Sequence, residues 1–362
     1  MEKKKDDIGS ILKREACRII LERFQGISMN HAIDEAMTDD SDMDFEVEEI
    51  LNQPYMNRQE VPLAMDIFKP KVKEGTELPV IVTIHGGGLV MGDRKLSRRF
   101  AKLLSGRGYL VFSIEYRLAP RANCAEQLDD VCAGMDLIGR ELVNYDVDFT
   151  RMFLIAESAG AYLATYVTAM RGSQKLQNAI GYKPSRMVFR GVGLICGMFY
   201  TQKNDPIGWI LADQFYGDKR NNKEFLKYMN PENPEILDNL PPAFLITSKG
   251  DFLNNYTLMF HDALKKAGKR TKLIYYGDGS LTHAFVTMQP SLEKSKDAIN
   301  RMIEWFEAEA DFARSKTAAK AAAKEVVQTT SETKTKQTAK RSTKATKKTS
   351  EKVLNNKKTG GK

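Results

Sequence analysis

The stretch FLIAESAG, residues 153–160, decides the fold prediction. Its first four residues form an apolar run that is typical of a buried strand, and the residues after Gly160 (AYLATYVTAM) follow a helical pattern. A serine on a sharp turn from strand to helix has its hydroxyl held above the sheet, which makes Ser158 a candidate nucleophile. The usual pattern GxSxG has glycine where this chain has Ala156, and we expect the turn to tolerate the additional methyl group. Because a serine in such a string is also a common helix cap, the prediction needs support from elsewhere in the chain.

The chain on both sides of this turn alternates short β-rich runs with helical patterns. The predicted strands cover residues 63–68, 80–84, 110–116, 153–156, 192–196, 243–247 and 272–276. The predicted helices cover residues 97–107, 128–144, 159–171, 255–267 and 292–309. Several strands are continuous apolar runs, as expected when helices cover both faces of a mainly parallel sheet. The predicted fold class is therefore α/β.

Two parts of the body fall outside this alternation. Residues 1–55 contain an amphipathic helix pattern from Ile8 to Phe24 and are predicted to form an N-terminal helical cap segment. Residues 56–312 form the predicted core, in which the aromatic-rich stretch 198–234 is predicted as a cap insertion over the carboxyl ends of the strands. Phe199 and Trp209 of this insertion are candidate substrate-binding residues, and local core packing is the alternative for each.

The net charge of +8 belongs to the tail, residues 313–362. The tail holds 15 of the 55 Lys and Arg residues and 3 of the 47 acidic residues, so it carries +12 and the rest of the chain −4. No aromatic residue follows Phe312, and a chain of Lys, Thr, Ala and Ser buries too little apolar area to fold, so the tail is predicted to be disordered. Such a tail would contact polyanions in a salt-dependent way or serve only as a solubilising extension.

The cysteines and the hydropathy pattern bear on compartment and cofactors. The four cysteines have no metal-ligand spacing, and no run of about 18 apolar residues occurs. We therefore expect a cytoplasmic protein without a membrane span, and the sequence leaves the oligomeric state open.

A second motif, His85-Gly86-Gly87-Gly88, directly follows the apolar run VIVTI. Consecutive glycines at a strand end allow the backbone to approach a substrate closely and to turn its N–H groups towards an oxyanion. The candidate oxyanion donors are the N–H groups of Gly86, Gly87 and Ala159. His85 is expected to be structural.

Together these stretches resemble the α/β-hydrolase esterases of the hormone-sensitive-lipase type. The chain has HGGGLVMGD at residues 85–93, EYRLAP at 115–120 and AESAG at 156–160, in the order and spacing of that family, and the resemblance covers about residues 61–310. It implies an α/β-hydrolase fold and a serine carboxylesterase that needs no metal or organic cofactor. Arg117 of EYRLAP is expected to make a structural ion pair with Asp129 or Asp130.

The resemblance also implies an acid and a base downstream of the serine, because the chain order in this fold is Ser, then Asp or Glu, then His. Asp251 lies in a D-x-L segment after the predicted strand at 243–247, where the family has its acid. Among the four histidines, His283 is the one on a loop that follows both a strand and this acid. Asp278, on the same loop as His283, is the rival acid.

The predicted reaction is the hydrolysis of short-chain acyl esters through an acyl-enzyme on Ser158, with a small-molecule ester as substrate. Two alternatives come from other classes of protein. A relative with this fold can act as a small-molecule receptor without catalysis, although the full set of Ser158, Asp251 and His283 disfavours that interpretation. The protein can also act through its basic tail, as a polyanion-tethered molecule in which the hydrolase body is secondary.

Overall fold

The computed structural model describes residues 46–209 and 215–318. The predicted helix from Ile8 to Phe24 and the tail beyond residue 318 lie outside the described residues. The chain divides into two compact units, residues 1–310 and residues 311–362. In the second unit, residues 311–318 are helical, with the hydroxyls of Ser315 and Thr317 bonded to backbone carbonyls. The first six residues of the predicted tail, 313–318, are therefore helical, and the rest of that tail lies outside the described residues.

A mainly parallel sheet organises the first unit, as predicted. In the described part of the chain it has eight strands in the order β1-β2-β4-β3-β5-β6-β7-β8. All pairings among strands β3 to β8 are parallel. Strand β2 pairs antiparallel with both β1 and β4. The strands are β1 (Val47–Arg58), β2 (Val61–Pro70), β3 (Leu78–Ile84), β4 (Leu110–Ile114), β5 (Val147–Glu157), β6 (Gly191–Ile195), β7 (Ala243–Ser248) and β8 (Thr271–Tyr276).

The five predicted helices are present, with ends shifted by a few residues. The helices are α1 (Arg98–Gly106), α2 (Cys124–Glu141), α3 (Ser158–Met170), α4 (Gln174–Ile180), α5 (Lys223–Lys227), α6 (Pro234–Leu237), α7 (Asn254–Lys266), α8 (Phe285–Met288) and α9 (residues 293–310). Among the predicted helices before α9, the largest shift is at the start of α2, where Asn123 and Glu126 form a reciprocal capping box that starts the helix four residues before the predicted position. Among the helices of residues 46–209 and 215–318, none has the length and hydrophobicity needed to span a membrane.

Strand β1 corrects the boundary of the N-terminal cap segment, because residues 47–55 belong to the sheet and not to a helical cap. The sequence of β1 does not have the apolar pattern of a buried strand, because it contains Pro54 and several charged residues. Such residues are tolerated at the edge of a sheet. The turn into β2 places Gln59 and Glu60 in the left-handed region, at φ 49° and 61°, without the glycine that usually marks a hairpin.

Both faces of the sheet are buried under helices, which explains the continuous apolar runs. Val80, Val82 and Ile84 of β3 belong to a core cluster that includes residues of α2 and α3. Ile81, which points to the opposite face, belongs to a second cluster that includes residues of α1 and α9. The parallel strands thus end at one common edge, and the loops that follow β3, β5, β7 and β8 all begin there.

The helix after Ser158 packs closely on this sheet. A Cβ atom at Gly160 would overlap the backbone carbonyl oxygens of Ile84 and His85, so only glycine allows α3 to lie this close to the end of β3. The glycine of AESAG is therefore required by packing between two segments that are 75 residues apart in the chain.

We expect Gly160→Ala to lower the free energy of unfolding by about 1–3 kcal/mol, because the backbone atoms that the new methyl group meets cannot move aside as a side chain would. The matched control is Gly139→Ala in α2, where the nearest side-chain atom lies 3.9 Å from the added Cβ and the better helix propensity of alanine should leave stability unchanged or higher. Urea unfolding of both variants checks this, and equal effects of the two substitutions would contradict the packing argument.

Candidate active site

The predicted turn forms with Ala156 in place of glycine. Ala156 pairs with Ile84 and Leu194 within the sheet, and Ser158 follows at φ 51°, in the left-handed region that non-glycine residues rarely adopt. The carbonyl oxygen of Ser158 accepts a hydrogen bond from the N–H of Met198, at 3.0 Å. Cys196 and Ala284, which lie at the same edge of the sheet, also have positive φ angles. Strained backbone of this kind is typical of functional sites.

The three residues predicted from chain order lie in one hydrogen-bonded row. Nε2 of His283 is 2.9 Å from Oγ of Ser158, and Nδ1 of His283 is 2.6 Å from Oδ1 of Asp251. All three side chains are buried. The rival carboxylate of Asp278 is exposed and accepts hydrogen bonds from the N–H and hydroxyl of Ser280. The structure therefore brings Asp251, and not Asp278, to His283.

The Asp251 carboxylate is held in its ionised form by several donors. Burial by itself raises the pKa of Asp251, but the charge and hydrogen bond of His283, together with the hydrogen bonds of Thr247 and Leu253, outweigh burial and hold this pKa below its ordinary value. The hydroxyl of Thr247 and the N–H of Leu253 donate to the same carboxylate, at 2.7 and 2.9 Å. Nδ1 of His283 therefore faces a fixed acceptor, which leaves Nε2 towards the serine hydroxyl.

The glycine loop, residues 85–88, lies directly against the serine. A Cβ atom at Gly86 would be 3.0 Å from Cβ of Ser158, and Gly87 has φ 104°, a conformation that suits only glycine. The N–H of Gly86 is already engaged, since it donates to Oε1 of Glu157 at 3.2 Å. This corrects the prediction that Gly86 offers an open oxyanion donor, and it leaves Gly87 and Ala159 as the candidates.

The EYRLAP segment anchors the glycine loop, which explains why the two motifs occur together. The ring of His85 stacks on Tyr116 with centroids 4.4 Å apart, and the Tyr116 hydroxyl donates to the carbonyls of His85 and Gly86. Nδ1 of His85 lies 2.8 Å from the Gly86 carbonyl oxygen, and burial lowers the pKa of His85 to about 4, so the ring is neutral at physiological pH. The expectation that His85 is structural agrees with these contacts.

The ion pair of Arg117 is with Asp130. Nε and Nη2 of Arg117 donate to the two oxygens of the Asp130 carboxylate, at 2.7 and 3.0 Å, in a fully buried bidentate pair. Asp129, the other candidate, pairs with Arg58 of β1. Strand β1, which no local sequence pattern predicted, thus supplies a partner to the acidic pair of α2.

The two predicted cap residues have different surroundings. The cap insertion follows β6, and its residues 198–209 and 215–234 are described. Phe199 is completely buried and stacks on Phe260 with centroids 4.3 Å apart, so the structure corrects its assignment from a substrate-binding residue to a core residue. Trp209 is half-buried, and its indole N–H donates to Oδ1 of Asn204 at 2.8 Å.

One group of potential metal ligands occurs among residues 46–209 and 215–318. It consists of Cys196, Asp251 and His283, whose ligand atoms lie within 4.8 Å of one another. Two of the three are already bonded to each other in the row that contains Ser158. These two side chains therefore satisfy each other without a metal ion, and their closeness is explained by this hydrogen bond.

Glu157, the residue directly before Ser158, has an unusual environment. The side chain is fully buried, and burial raises its pKa to about 8 although the N–H of Gly86 opposes the shift. Its second oxygen, Oε2, has no hydrogen-bond partner among the described residues. A carboxyl group in this position is mainly protonated at neutral pH and still accepts the hydrogen bond that orients the glycine loop.

This raised pKa predicts a pH-dependent stability. The contribution of protonated Glu157 to the free energy of unfolding is fully present below about pH 4.5, the pKa of an exposed glutamate. This contribution is lost as the pH rises to about 8. Glu157→Gln keeps the acceptor and cannot ionise, so the variant should gain stability relative to the native protein as the pH rises, on the order of 3 kcal/mol at pH 7. Urea unfolding at intervals from pH 5 to 8 measures the difference, and parallel curves for the two proteins would exclude this role of ionisation.

Comparisons with known proteins agree with the fold and with the motifs. The family described as alpha/beta hydrolase fold matches residues 81–287. The chain is 24% identical to a probable isoprenylcysteine alpha-carbonyl methylesterase of Arabidopsis thaliana over 61% of this chain and 49% of that protein. It is 32% identical to arylacetamide deacetylase-like 2 of Homo sapiens, over 60% of this chain and 71% of that protein. The chain spans only about half of the length of the Arabidopsis methylesterase.

Solved structures show the same architecture. An inhibited esterase B from Lactobacillus rhamnosis has a TM-score of 0.71 and 21% identity, with 82% of this chain and 98% of that chain covered. An esterase from Pyrobaculum calidifontis has a TM-score of 0.56 and 23% identity, with 82% of this chain and 91% of that chain covered. At this identity the likeness supports the fold alone. With the family match over residues 81–287 and the motifs at residues 85–93, 115–120 and 156–160, the chain belongs to the α/β-hydrolase fold family, in its hormone-sensitive-lipase type.

Proposed function

We propose that the protein is a serine carboxylesterase that hydrolyses short-chain acyl esters through an acyl-enzyme on Ser158. The observation that carries this proposal is the buried row of Ser158, His283 and Asp251, with distances of 2.9 and 2.6 Å, at the edge of the sheet where the strands end. A serine hydroxyl is a weak nucleophile at neutral pH, and this row supplies both the base that activates it and the acid that orients the base.

The first half of the reaction forms the acyl-enzyme. Nε2 of His283 accepts the proton of the Ser158 hydroxyl while Oγ attacks the carbonyl carbon of the ester. The Asp251 carboxylate stabilises the imidazolium that results, and the N–H groups of Gly87 and Ala159 stabilise the oxyanion. The imidazolium then gives its proton to the leaving alcohol as the bond between the carbonyl carbon and the alcohol oxygen breaks.

The second half returns the enzyme to its starting state. A water molecule gives a proton to Nε2 of His283 and attacks the acyl carbon. The second tetrahedral intermediate collapses, Ser158 regains its proton from the imidazolium, and the carboxylic acid leaves. All proton transfers use side chains of this chain, and the scheme needs no metal or organic cofactor.

The anchored glycine loop supports the oxyanion role of Gly87. Tyr116 and His85 fix the loop on one side and Glu157 fixes it on the other, so its N–H groups have little freedom to reorient. Donors that are already oriented need no reorganisation when the negative charge develops, which is the main source of their effect on rate.

The substrate class is inferred from the relatives and the cap. The similar proteins include isoprenylcysteine methylesterases, a deacetylase-like protein and an esterase inhibited by a tributyrin phosphonate, which all point to carboxylic esters or related acyl groups. The C4 chain of that phosphonate agrees with short acyl groups. Trp209 is the cap residue that we propose beside the acyl group. We also propose the cytoplasm as the compartment, in agreement with the buried thiols of Cys132 and Cys196.

The basic tail favours a second activity that is independent of the first. Residues 313–362 carry 15 basic and 3 acidic residues, a density of charge that attracts nucleic acids and other polyanions. In this second role the tail would place the enzyme on a polyanionic surface, and the ester site would keep its chemistry.

Replacing the nucleophile should abolish turnover. We expect Ser158→Ala to lower kcat for p-nitrophenyl butyrate more than about a thousandfold, because no other group can form the acyl-enzyme. The substitution removes only a hydroxyl group, so thermal unfolding should change little. Activity above a few per cent of the native value, in a variant that unfolds normally, would exclude Ser158 as the nucleophile.

The acid is tested by a matched pair of substitutions. Asp251→Asn keeps the shape of the side chain but favours the wrong tautomer of His283, so kcat should fall on the order of 10,000-fold. Asp278→Asn, on the exposed loop, should leave kcat within about twofold, as surface substitutions usually have small effects. The reverse order of the two effects would assign the acid to Asp278.

A further inference from the structure

A cavity with a volume of about 570 Å³ lies far from the ester site, near the opposite edge of the sheet. It is formed by the end of α2, the start of β5 and the segment that leads into β6. Met152 lies in its wall, six residues before Ser158 on the same extended strand, which places the two about 20 Å apart. The volume is in the range of sites that bind small molecules. We call this space the cationic cavity, and its lining includes Arg140, Phe149, Met152, Arg186, Val188 and Arg190.

The cationic cavity concentrates positive charge that other side chains do not neutralise. Within residues 46–209 and 215–318, the guanidinium groups of Arg140, Arg186 and Arg190 make no hydrogen bond and no ion pair. The one carboxylate in the lining, Asp136, accepts hydrogen bonds from the hydroxyl of Ser185 and the backbone N–H of Arg186, at 2.8 and 3.1 Å. By contrast, the buried guanidinium of Arg117 has a bidentate carboxylate partner.

Arg190 shows that this charge is partly withdrawn from water. Its Nε atom is buried and has no hydrogen-bond partner among the described residues. A buried charged donor without an acceptor is unfavourable, and an anion in the cavity would supply the acceptor. Planar guanidinium groups bind carboxylate and phosphate oxygens better than any other side chain, so three of them around one cavity specify an anionic group.

Beside the arginines the cavity presents an apolar surface. Phe149 is 59% exposed and Val188 is 37% exposed, so both present apolar surface to the solvent in this wall. Met152 and Met187 are buried behind them in the same wall. An apolar wall next to a cluster of guanidinium groups fits a molecule that has an anionic head and an apolar body.

We propose that the cationic cavity is a binding site for a small amphipathic anion, with a carboxylate or phosphate head on Arg140, Arg186 and Arg190 and an apolar chain against Phe149 and Met152. The site is independent of ester hydrolysis, because none of its residues belongs to the row of Ser158, His283 and Asp251. The volume of about 570 Å³ is enough for one small molecule.

Isothermal titration of the full chain tests the proposal with decanoate and decyl phosphate below their micellar concentrations and with decanol below its solubility limit. We expect the two anions to bind and decanol to bind at least about tenfold more weakly, since it lacks the head group that the guanidinium groups recognise. The ratio of the dissociation constants of decanoate and decyl phosphate shows which of the two head groups the site prefers. Decanol that binds as tightly as both anions would overturn the proposal.

Substitutions separate this site from the ester site, where a product-like acid could also bind. The double variant Arg140→Gln/Arg186→Gln and the single variant Phe149→Ser change exposed side chains, and each should weaken binding of the anion about 10-fold to 100-fold with unchanged turnover of p-nitrophenyl butyrate. The charge control is Arg301→Gln, at an exposed arginine of α9 that should not affect binding. Native affinity in the cavity variants, or an equal loss in Arg301→Gln, would overturn the proposal.

Discussion

The left-handed backbone at Ser158 is the constraint on which the rest of the site depends. With φ at 51°, the chain reverses from β5 into α3 within one residue, and the hydroxyl is raised towards the loops beyond the strand ends. Such a conformation persists only where neighbours hold it. Here the N–H of Met198 binds the Ser158 carbonyl, and Gly160 lets α3 lie against the carbonyl oxygens that end β3.

The parallel sheet then brings the other groups to this turn. Because β5, β7 and β8 end at the same edge, the loops after β7 and β8 carry Asp251 and His283 to Ser158, over a sequence separation of 125 residues between the serine and the histidine. The loop after β3 approaches from the other side and is held by Tyr116 and Glu157. A rigid sheet thus supplies the precision that a row of hydrogen bonds requires.

The sequence allowed prediction of those parts that depend on local pattern and chain order. Apolar runs predicted seven strands, and the order of motifs selected Asp251 and His283. Other features depend on contacts that no local pattern reveals. Strand β1 is an edge strand whose turn at Gln59 and Glu60 lacks glycine. The contact of Gly86 with Glu157 joins residues 71 positions apart, and Phe199 packs against the ring of Phe260 from α7. Each of these differences arises from tertiary packing that overrides an ordinary local signal.

Covalent labelling tests the central claim, that Ser158 is an activated nucleophile, most directly. A fluorophosphonate reacts with a serine whose proton a neighbouring histidine can accept, and it reacts slowly with an ordinary hydroxyl group. Mass spectrometry of the labelled, digested protein should find one stoichiometric adduct, on the peptide that contains Ser158, and prior reaction should remove hydrolysis of p-nitrophenyl butyrate. An adduct on another serine, or an unlabelled protein that still hydrolyses the ester, would contradict the account.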